Sequence, residues 1–85
     1  MKEFTYVITD AEGIHARPAG ELVKLTKEYN CAVSVIKDGK KVDAKKLFGL
    51  MGLGVKQGME ITVQTEGDDE EAASAALDKF LHDNL

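Results

Sequence analysis

Apolar residues recur at every second position near the start of the chain and predict a β-strand over residues 2–9. Phe4, Tyr6 and Ile8 share one side of that strand, as expected when one face of a strand is buried. From residue 16 to about residue 29 the spacing changes to i, i+3, i+4 and i+7, which predicts a helix with one buried stripe. The members of this stripe are Ala19, Leu22, Val23 and Thr26.

The middle of the chain predicts a β-hairpin after this helix. Asn30 tolerates the left-handed conformation that ends many helices, so we expect the helix to stop there. Residues 32–37 form a short run rich in β-branched side chains, which favours a strand. Asp38 and Gly39 then form a dipeptide typical of a tight hairpin turn, and residues 40–43 supply the returning strand.

The second half of the chain predicts a short helix, a strand and a longer helix. The short helix runs from Leu47 to about Leu53, and glycines within it cost about 1 kcal/mol each relative to alanine, so tertiary packing must support it. Residues 60–66 alternate as a strand. Asp68 and Glu71 have the spacing of a capping box at the start of the last helix. The apolar stripe of that helix comprises Ala73, Ala76, Leu77, Phe80 and Leu81.

The predicted order of elements is β-α-β-β-α-β-α, and it indicates an α+β fold. Four strands with crossover helices favour a split βαβ sheet that is covered by helices on one face. The 85 residues, of which 44% are hydrophobic, allow one domain over residues 1–85. Its core must lie between two packed layers, and this architecture by itself implies no function.

Composition excludes several classes of protein. No apolar run approaches the ~20 residues that cross a bilayer, and the N-terminus lacks the apolar block of a signal peptide. The single cysteine, Cys31, cannot form an internal disulfide, which favours the reducing cytoplasm. With two histidines and no Cys/His cluster, we expect neither a metal site nor a cofactor.

Charge is unevenly distributed along the chain, although the net charge is only −4. Residues 14–56 carry nine Lys/Arg and four Asp/Glu, a balance of +5, whereas residues 57–85 carry one Lys and eight Asp/Glu, a balance of −7. The net negative charge argues against nucleic-acid binding. The basic half is expected to attract acidic protein surfaces or anionic groups.

The segment from Gly13 to Gly20 contains the candidate site, because a histidine lies where the first strand ends and the first helix begins. Pro18 suits the first turn of a helix, where its missing N–H has no intrahelical partner. His15 then lies at the helix N-terminus, beside unpaired backbone N–H groups that favour an anion. A neutral imidazole is nucleophilic, and Arg17 adds a permanent cation. These residues predict phosphoryl transfer onto His15, with a plain helix cap as the alternative.

Two segments of the chain resemble the HPr family, the histidine-containing phosphocarriers of the bacterial phosphoenolpyruvate-dependent sugar phosphotransferase system. The run from Gly13 to Ala19 is similar to the active-site signature of that family, and the run from Lys45 to Gly54 is similar to its second characteristic segment. The region from Gln57 to Gly67 resembles the part that follows, and spacing and length agree from about residue 3 onwards.

This resemblance implies an open-faced β-sandwich of four antiparallel strands and three helices. It also implies that enzyme I donates a phosphoryl group to Nδ1 of His15, that enzyme IIA domains of sugar permeases accept it, and that Arg17 assists both transfers. The chain is then expected to be a cytoplasmic, monomeric carrier and not an enzyme. Transcriptional regulators of the same system are left open as a further class of partner.

The short helix over residues 47–53 carries more apolar residues than one buried face can hold, which predicts a surface for protein contacts. If Leu50 and Leu53 point inward, the other apolar residues share the outer side, and the resemblance implies that partners dock there. A fully buried helix and ordinary solvated lysines are the alternatives. The residues of this expected partner face are Gly20, Lys24, Lys27, Leu47, Phe48 and Met51.

Lys46 stands where Gram-positive members of the HPr family carry a regulatory serine. In those proteins HPr kinase/phosphorylase modifies the serine, and the modified protein acts as a corepressor with catabolite control protein A. A lysine cannot accept this modification, so we predict no serine-linked control at position 46.

Two other functions stay open at this point. One is a regulatory or nitrogen-related paralogue of HPr, with the same histidine chemistry and a different acceptor. The other is a ferredoxin-like module that binds a metal or a small ligand, against which the absence of a CxxC pattern argues.

Overall fold

Four strands and three helices make up the computed structural model, which describes residues 1–85. Their order, β-α-β-β-α-β-α, is the predicted one. In chain order the elements are β1 (Lys2–Val7), α1 (Ala16–Thr26), β2 (Ala32–Lys37), β3 (Lys40–Asp43), α2 (Leu47–Gly52), β4 (Glu60–Glu66) and α3 (Glu70–Asn84).

The strands form one antiparallel sheet in the order β1-β4-β2-β3. Val63 on β4 lies opposite Phe4 on one side and Val35 on the other, so the apolar positions of three strands meet on one face. Helices pack on that face, with α3 against β1 and β4 and with α2 against β3. The other face is open, and Val7 there is 48% exposed. The fold is the predicted open-faced β-sandwich.

The predicted hairpin between β2 and β3 is confirmed. Asp38 and Gly39 both have positive φ, 51° and 80°, and Lys37 pairs with Lys40 across them. Two successive left-handed residues define the turn whose twist matches that of paired strands.

Helix α1 buries the four positions of its predicted stripe but ends earlier than predicted. It stops at Thr26, and Lys27 after it keeps a right-handed conformation. The expected left-handed cap at Asn30 is wrong, because Asp38 is the one non-glycine residue with positive φ. The N–H of Asn30 instead donates to Asp69 Oδ2 at 2.8 Å, so a contact with a distant segment fixes this turn.

The capping box predicted from Asp68 and Glu71 is also wrong. Helix α3 begins at Glu70, and its N-cap is Asp69, whose side chain makes no hydrogen bond within the helix. The Asp69 carboxylate accepts from the N–H groups of Asn30 and Cys31, at 2.8 and 2.9 Å. It therefore joins the start of α3 to the start of β2, a role that local spacing does not reveal.

These hydrogen bonds predict a pH-dependent contribution of Asp69 to stability. The N–H of Asn30 holds the pKa of the Asp69 carboxyl below its ordinary value of 3.8. A depressed folded-state pKa stabilises the fold above the unfolded-state pKa, and this contribution is lost as the pH falls through the folded-state pKa. We expect Asp69→Asn to lower the urea midpoint at pH 7, with the difference from the unmodified protein shrinking as the pH falls below the ordinary value of 3.8.

The matched control for this prediction is Asp68→Asn. Asp68 is exposed and makes no hydrogen bond. Its substitution removes the same charge one residue away from Asp69. An equal loss in both variants at pH 7, or a loss in Asp69→Asn that is the same at every pH, contradicts the assigned role of Asp69.

Helix α2 persists despite its glycines because it is anchored at its buried side and at its end. Leu50 is fully buried and Leu53 nearly so. The ammonium group of Lys37, on β2, donates a hydrogen bond to Leu53 O at 3.1 Å. Leu53 lies just beyond the C-terminus of α2, where a cation is favoured. Tertiary contacts therefore supply what the intrinsic propensity of this segment lacks.

Candidate functional site

The loop before α1 turns at Gly13, and no other residue fits that position. Gly13 has φ +67°, and a Cβ there would lie 2.2 Å from the Val55 carbonyl oxygen. The approach is this close because Ile14 N–H donates to Val55 O at 3.1 Å. The segment after α2 therefore runs directly beside the loop that presents His15.

His15 is the N-cap residue of α1, with extended backbone (φ −98°, ψ 176°). Its carbonyl accepts from Ala19 N–H at 3.0 Å, but its side chain does not cap the helix. The N–H groups of Ala16 and Arg17 have no hydrogen-bond partner. The imidazole is 35% exposed and lies at the positive end of the helix, where these N–H groups can receive an anion.

Two carboxylates, which the sequence patterns did not single out, face the ring nitrogens of His15. Asp10 Oδ2 lies 3.6 Å from Nε2, and Glu12 Oε2 lies 3.4 Å from Nδ1. The turn at Gly13 folds the loop back and brings both acids to the ring. The three-residue separation of Glu12 and His15 is the signal that could have suggested this contact, but its geometry depends on the turn.

An open cleft of about 240 Å³ surrounds the imidazole. Arg17 borders it and forms no ion pair, although acidic side chains line the same cleft. Its guanidinium is therefore a free cation beside a nucleophilic nitrogen. The residues that line the cleft are Asp10, His15, Arg17, Pro18, Glu21 and Asn84.

Asn84 and Glu21 reach the cleft in ways that the sequence patterns did not reveal. Glu21 lies on α1, on a face that the helical stripe leaves polar. Asn84 comes from the far end of the chain, because the last turn of α3 lies beside the histidine loop: Leu85 O accepts from the Asp10 N–H at 2.9 Å.

The expected partner face divides into exposed and half-buried positions. Phe48 is 87% exposed and Met51 is 39% exposed, although both are large and apolar. Leu47 and Gly20 are half-buried, while the lysines of α1 are exposed. Helices α1 and α2 are in contact, so the residues of this face lie on neighbouring elements. The two exposed lysines are Lys24 within α1 and Lys27 at its C-cap.

Asp10, Glu12 and His15 come together without forming a metal site, because no group of His, Cys, Asp or Glu side chains is arranged to hold an ion. No helix of the chain combines the length and apolar character that a bilayer span requires. A one-third exposed imidazole beside unpaired N–H groups and a free guanidinium forms a surface site with the geometry and charge to receive an anionic group.

Comparison with known proteins agrees with this description. The family model for the PTS HPr component phosphorylation site matches residues 2–83. HPr from Thermoanaerobacter tengcongensis superposes with a TM-score of 0.93 at 44% identity, over 96% of this chain and 92% of that one. HPr from Bacillus anthracis superposes with a TM-score of 0.88 at 34% identity, over 94% and 95%. Crh of Bacillus subtilis, a domain-swapped dimer, gives 0.79 at 34% identity, over 100% and 98%.

The chain belongs to the HPr family of the phosphotransferase system, as the sequence resemblance indicated. Membership supports a role as a phosphocarrier of that system, in a family whose members in general are carriers and not enzymes. Dimers among the related structures mean that the family does not fix the oligomeric state.

Proposed function

We propose that this chain carries a phosphoryl group on His15, which it accepts from enzyme I and passes to enzyme IIA domains of sugar permeases. The observation that supports this most directly is the placement of the imidazole. It is exposed at the N-terminus of α1, and the N–H groups of Ala16 and Arg17 beside it are unpaired.

The proposed transfer uses the lone pair of His15 Nδ1. That pair forms a bond to phosphorus while the bond between phosphorus and the donor atom breaks, and the electron pair of the broken bond leaves with the donor. Nδ1 is the ring nitrogen nearer to the backbone, so the phosphoryl oxygens come close to the N–H groups at the start of α1. The guanidinium of Arg17 is free to bind the same oxygens as charge passes between the proteins.

The open cleft suits a carrier better than an enzyme with its own substrate. A carrier must present its phosphoryl group to two different proteins in turn and must not hold it too tightly. The imidazole is reachable from solvent and the cleft is shallow and polar. We therefore assign no independent turnover of a small molecule to this chain, and neither a metal nor a cofactor enters the proposed step.

The proposed function is tested with enzyme I and phosphoenolpyruvate. We expect one phosphoryl group per chain, labile in acid and stable in base, as a phosphohistidine requires, and rapid loss of that group when an enzyme IIA protein is added. Phosphate NMR or isotopic labelling measures both steps. Absence of labelling with an enzyme I preparation that phosphorylates another HPr would refute the proposal.

The partner face is proposed as the docking surface for both proteins. Phe48 and Met51 expose apolar surface on α2, and exposed Lys24 and Lys27 add positive charge on the neighbouring α1 and at its C-cap. An apolar centre with a polar rim is the usual anatomy of a protein interface. Acidic partner surfaces would be attracted by the rim, which carries no compensating ion pair.

Phe48→Ser is expected to weaken docking without changing the fold. The ring is 87% exposed, so its removal costs little stability, whereas truncation of a central aromatic contact weakens binding by about tenfold or more. We expect the KM for this chain in the enzyme I reaction to rise while kcat stays nearly constant. Val7→Ser is the control, because Val7 is also exposed but lies on the open sheet face. Equal effects of the two variants would contradict the docking proposal.

Regulation and assembly follow the same proposal. Lys46 is the exposed N-cap of α2, so we propose that HPr kinase/phosphorylase does not modify this position. We also propose that the chain acts as a cytoplasmic monomer. Its own helices cover one face of the sheet, and few large apolar residues are exposed. We propose transcriptional regulators of the phosphotransferase system as a further class of partner for the same face.

A further inference from the structure

The two carboxylates that face His15 are held in very different ways. Asp10 is fixed: its N–H donates to Leu85 O at 2.9 Å, its Oδ1 accepts from Glu12 N–H at 2.8 Å, and its side chain is 27% exposed. The Glu12 carboxylate has no partner other than His15, and its side chain is 72% exposed. One acid is therefore part of the loop framework, and the other is free to rotate.

The carboxylates of Asp10 and Glu12 act on different nitrogens of the imidazole. The fixed carboxylate of Asp10, 3.6 Å from Nε2, favours a proton on that nitrogen and so a lone pair on Nδ1, whereas Glu12, 3.4 Å from Nδ1, favours a proton there until it rotates away. Glu12 instead faces Nδ1, the atom to which the phosphoryl group is proposed to bind. The phosphoryl group would enter the space in front of Nδ1, where the carboxylate of Glu12 now lies.

Glu12 can rotate into solvent to admit the phosphoryl group, but its charge stays close. Its backbone is fixed three residues before His15 by the hydrogen bond to Asp10. The phosphorylated state then contains a dianionic group and a carboxylate within a few ångströms, whereas the unphosphorylated state contains no such repulsion. Only Arg17 and the unpaired N–H groups of α1 offset it.

We propose that Glu12 destabilises the phosphorylated state of His15 and thereby raises its phosphoryl-transfer potential. The inference rests on the proposed carrier function and adds to it the residue that sets how readily the group is given up. Glu12 thus opposes Arg17: one charge disfavours the bound phosphoryl group and the other favours it. A carrier between two proteins needs such a balance, because a group held too tightly is not passed on.

The test measures the equilibrium between phosphoenolpyruvate plus this chain and pyruvate plus its phosphorylated form. Enzyme I acts only as the catalyst, so a change in docking alters the rate of approach but not the position of the equilibrium. With excess pyruvate, the phosphorylated fraction is read by phosphate NMR. We expect Glu12→Gln to shift the equilibrium constant towards the phosphorylated form by about thirtyfold, the effect of a unit charge on a dianion about 4 Å away in water.

Matched variants separate local charge from other causes. Glu12→Asp keeps the charge and should remain near the unmodified protein. Glu28→Gln removes the same charge at an exposed position in the turn that follows α1, and it should have no effect. Because the site is open to solvent, the Glu12→Gln shift should largely vanish in about 1 M salt, where the Debye length is about 3 Å.

The outcomes are distinguishable. If the unmodified chain is not phosphorylated at all, the proposed function fails and this inference fails with it. If the unmodified chain is phosphorylated and Glu12→Gln leaves the equilibrium unchanged, or if Glu28→Gln shifts it equally, the inference fails alone. A salt-sensitive shift confined to Glu12→Gln supports it.

Discussion

His15→Ala is expected to abolish phosphorylation by enzyme I and phosphoenolpyruvate, with labelling falling to background. In the proposed transfer the imidazole supplies the lone pair that forms the bond to phosphorus, and no other nucleophilic nitrogen lines the cleft at the N-terminus of α1. The side chain does not cap the helix and is one-third exposed, so we expect the free energy of unfolding to change by no more than about 0.5 kcal/mol. Circular dichroism and a urea titration check that the fold is retained.

His82→Ala is the matched control for this prediction, because it removes the second histidine of the chain. His82 lies on the exposed side of α3, where Nδ1 is 2.9 Å from Asp78 O and the ring meets the edge of Tyr6. It has no helix N-terminus or free guanidinium beside it. We expect labelling of His82→Ala at the level of the unmodified protein. Persistent labelling of His15→Ala, or loss of labelling in His82→Ala, would overturn the assignment of His15.

Gly13→Ala is expected to have the largest effect on stability. The residue has φ +67°, which costs alanine roughly 1–2 kcal/mol. Its Cβ would also lie 2.2 Å from Val55 O, so the hydrogen bond between Ile14 and Val55 cannot keep its present geometry. We expect a total loss of about 3 kcal/mol, which for a domain of this size lowers the Tm by about 15 °C. The His15 loop shifts with it, so phosphoryl acceptance should fall as well.

Gly54→Ala separates the two causes. Gly54 has nearly the same φ, +64°, but a Cβ there would meet no atom within 4 Å. We expect this variant to lose only the conformational part, about 1 kcal/mol, and to retain phosphoryl acceptance. Thermal unfolding by calorimetry compares the two variants. Equal losses would show that the backbone conformation, and not the close approach to Val55, determines the cost at Gly13.

Much of the fold was predictable because its determinants are local. The stripes of α1 and α3 repeat with the helical period, and the alternation in β1 and β4 repeats with the period of a strand. The turn at Asp38 and Gly39 depends on two adjacent residues that adopt positive φ with little strain. The wrong predictions, the caps at Asn30 and at Asp68, fail for one reason: Asp69 bonds across the fold to residues 39 and 38 positions away.

The residues of the candidate site likewise fall into two groups, those that the sequence indicated and those that only tertiary packing brings together. His15 and Arg17 stand in a short motif with a proline that sets the helix start, so spacing alone indicated an anion site. The exposure of Phe48 depends on which side of α2 faces the core. The sequence pattern predicted an exposed Phe48 only if Leu50 and Leu53 point inward. Asn84 is brought to the cleft by the docking of α3, 69 positions beyond the histidine.

The sequence by itself determined the order of elements, the apolar stripes, and the candidate nucleophile with its neighbouring cation, because each of these depends on residues a few positions apart. The tertiary structure alone decided which acids surround the histidine and how firmly each is held. Asp10 and Glu12 reach the ring only because Gly13 turns the loop against Val55 and because Leu85 holds Asp10 in place. Contacts of this kind depend on packing between distant segments, and such packing leaves no periodic signature in the chain.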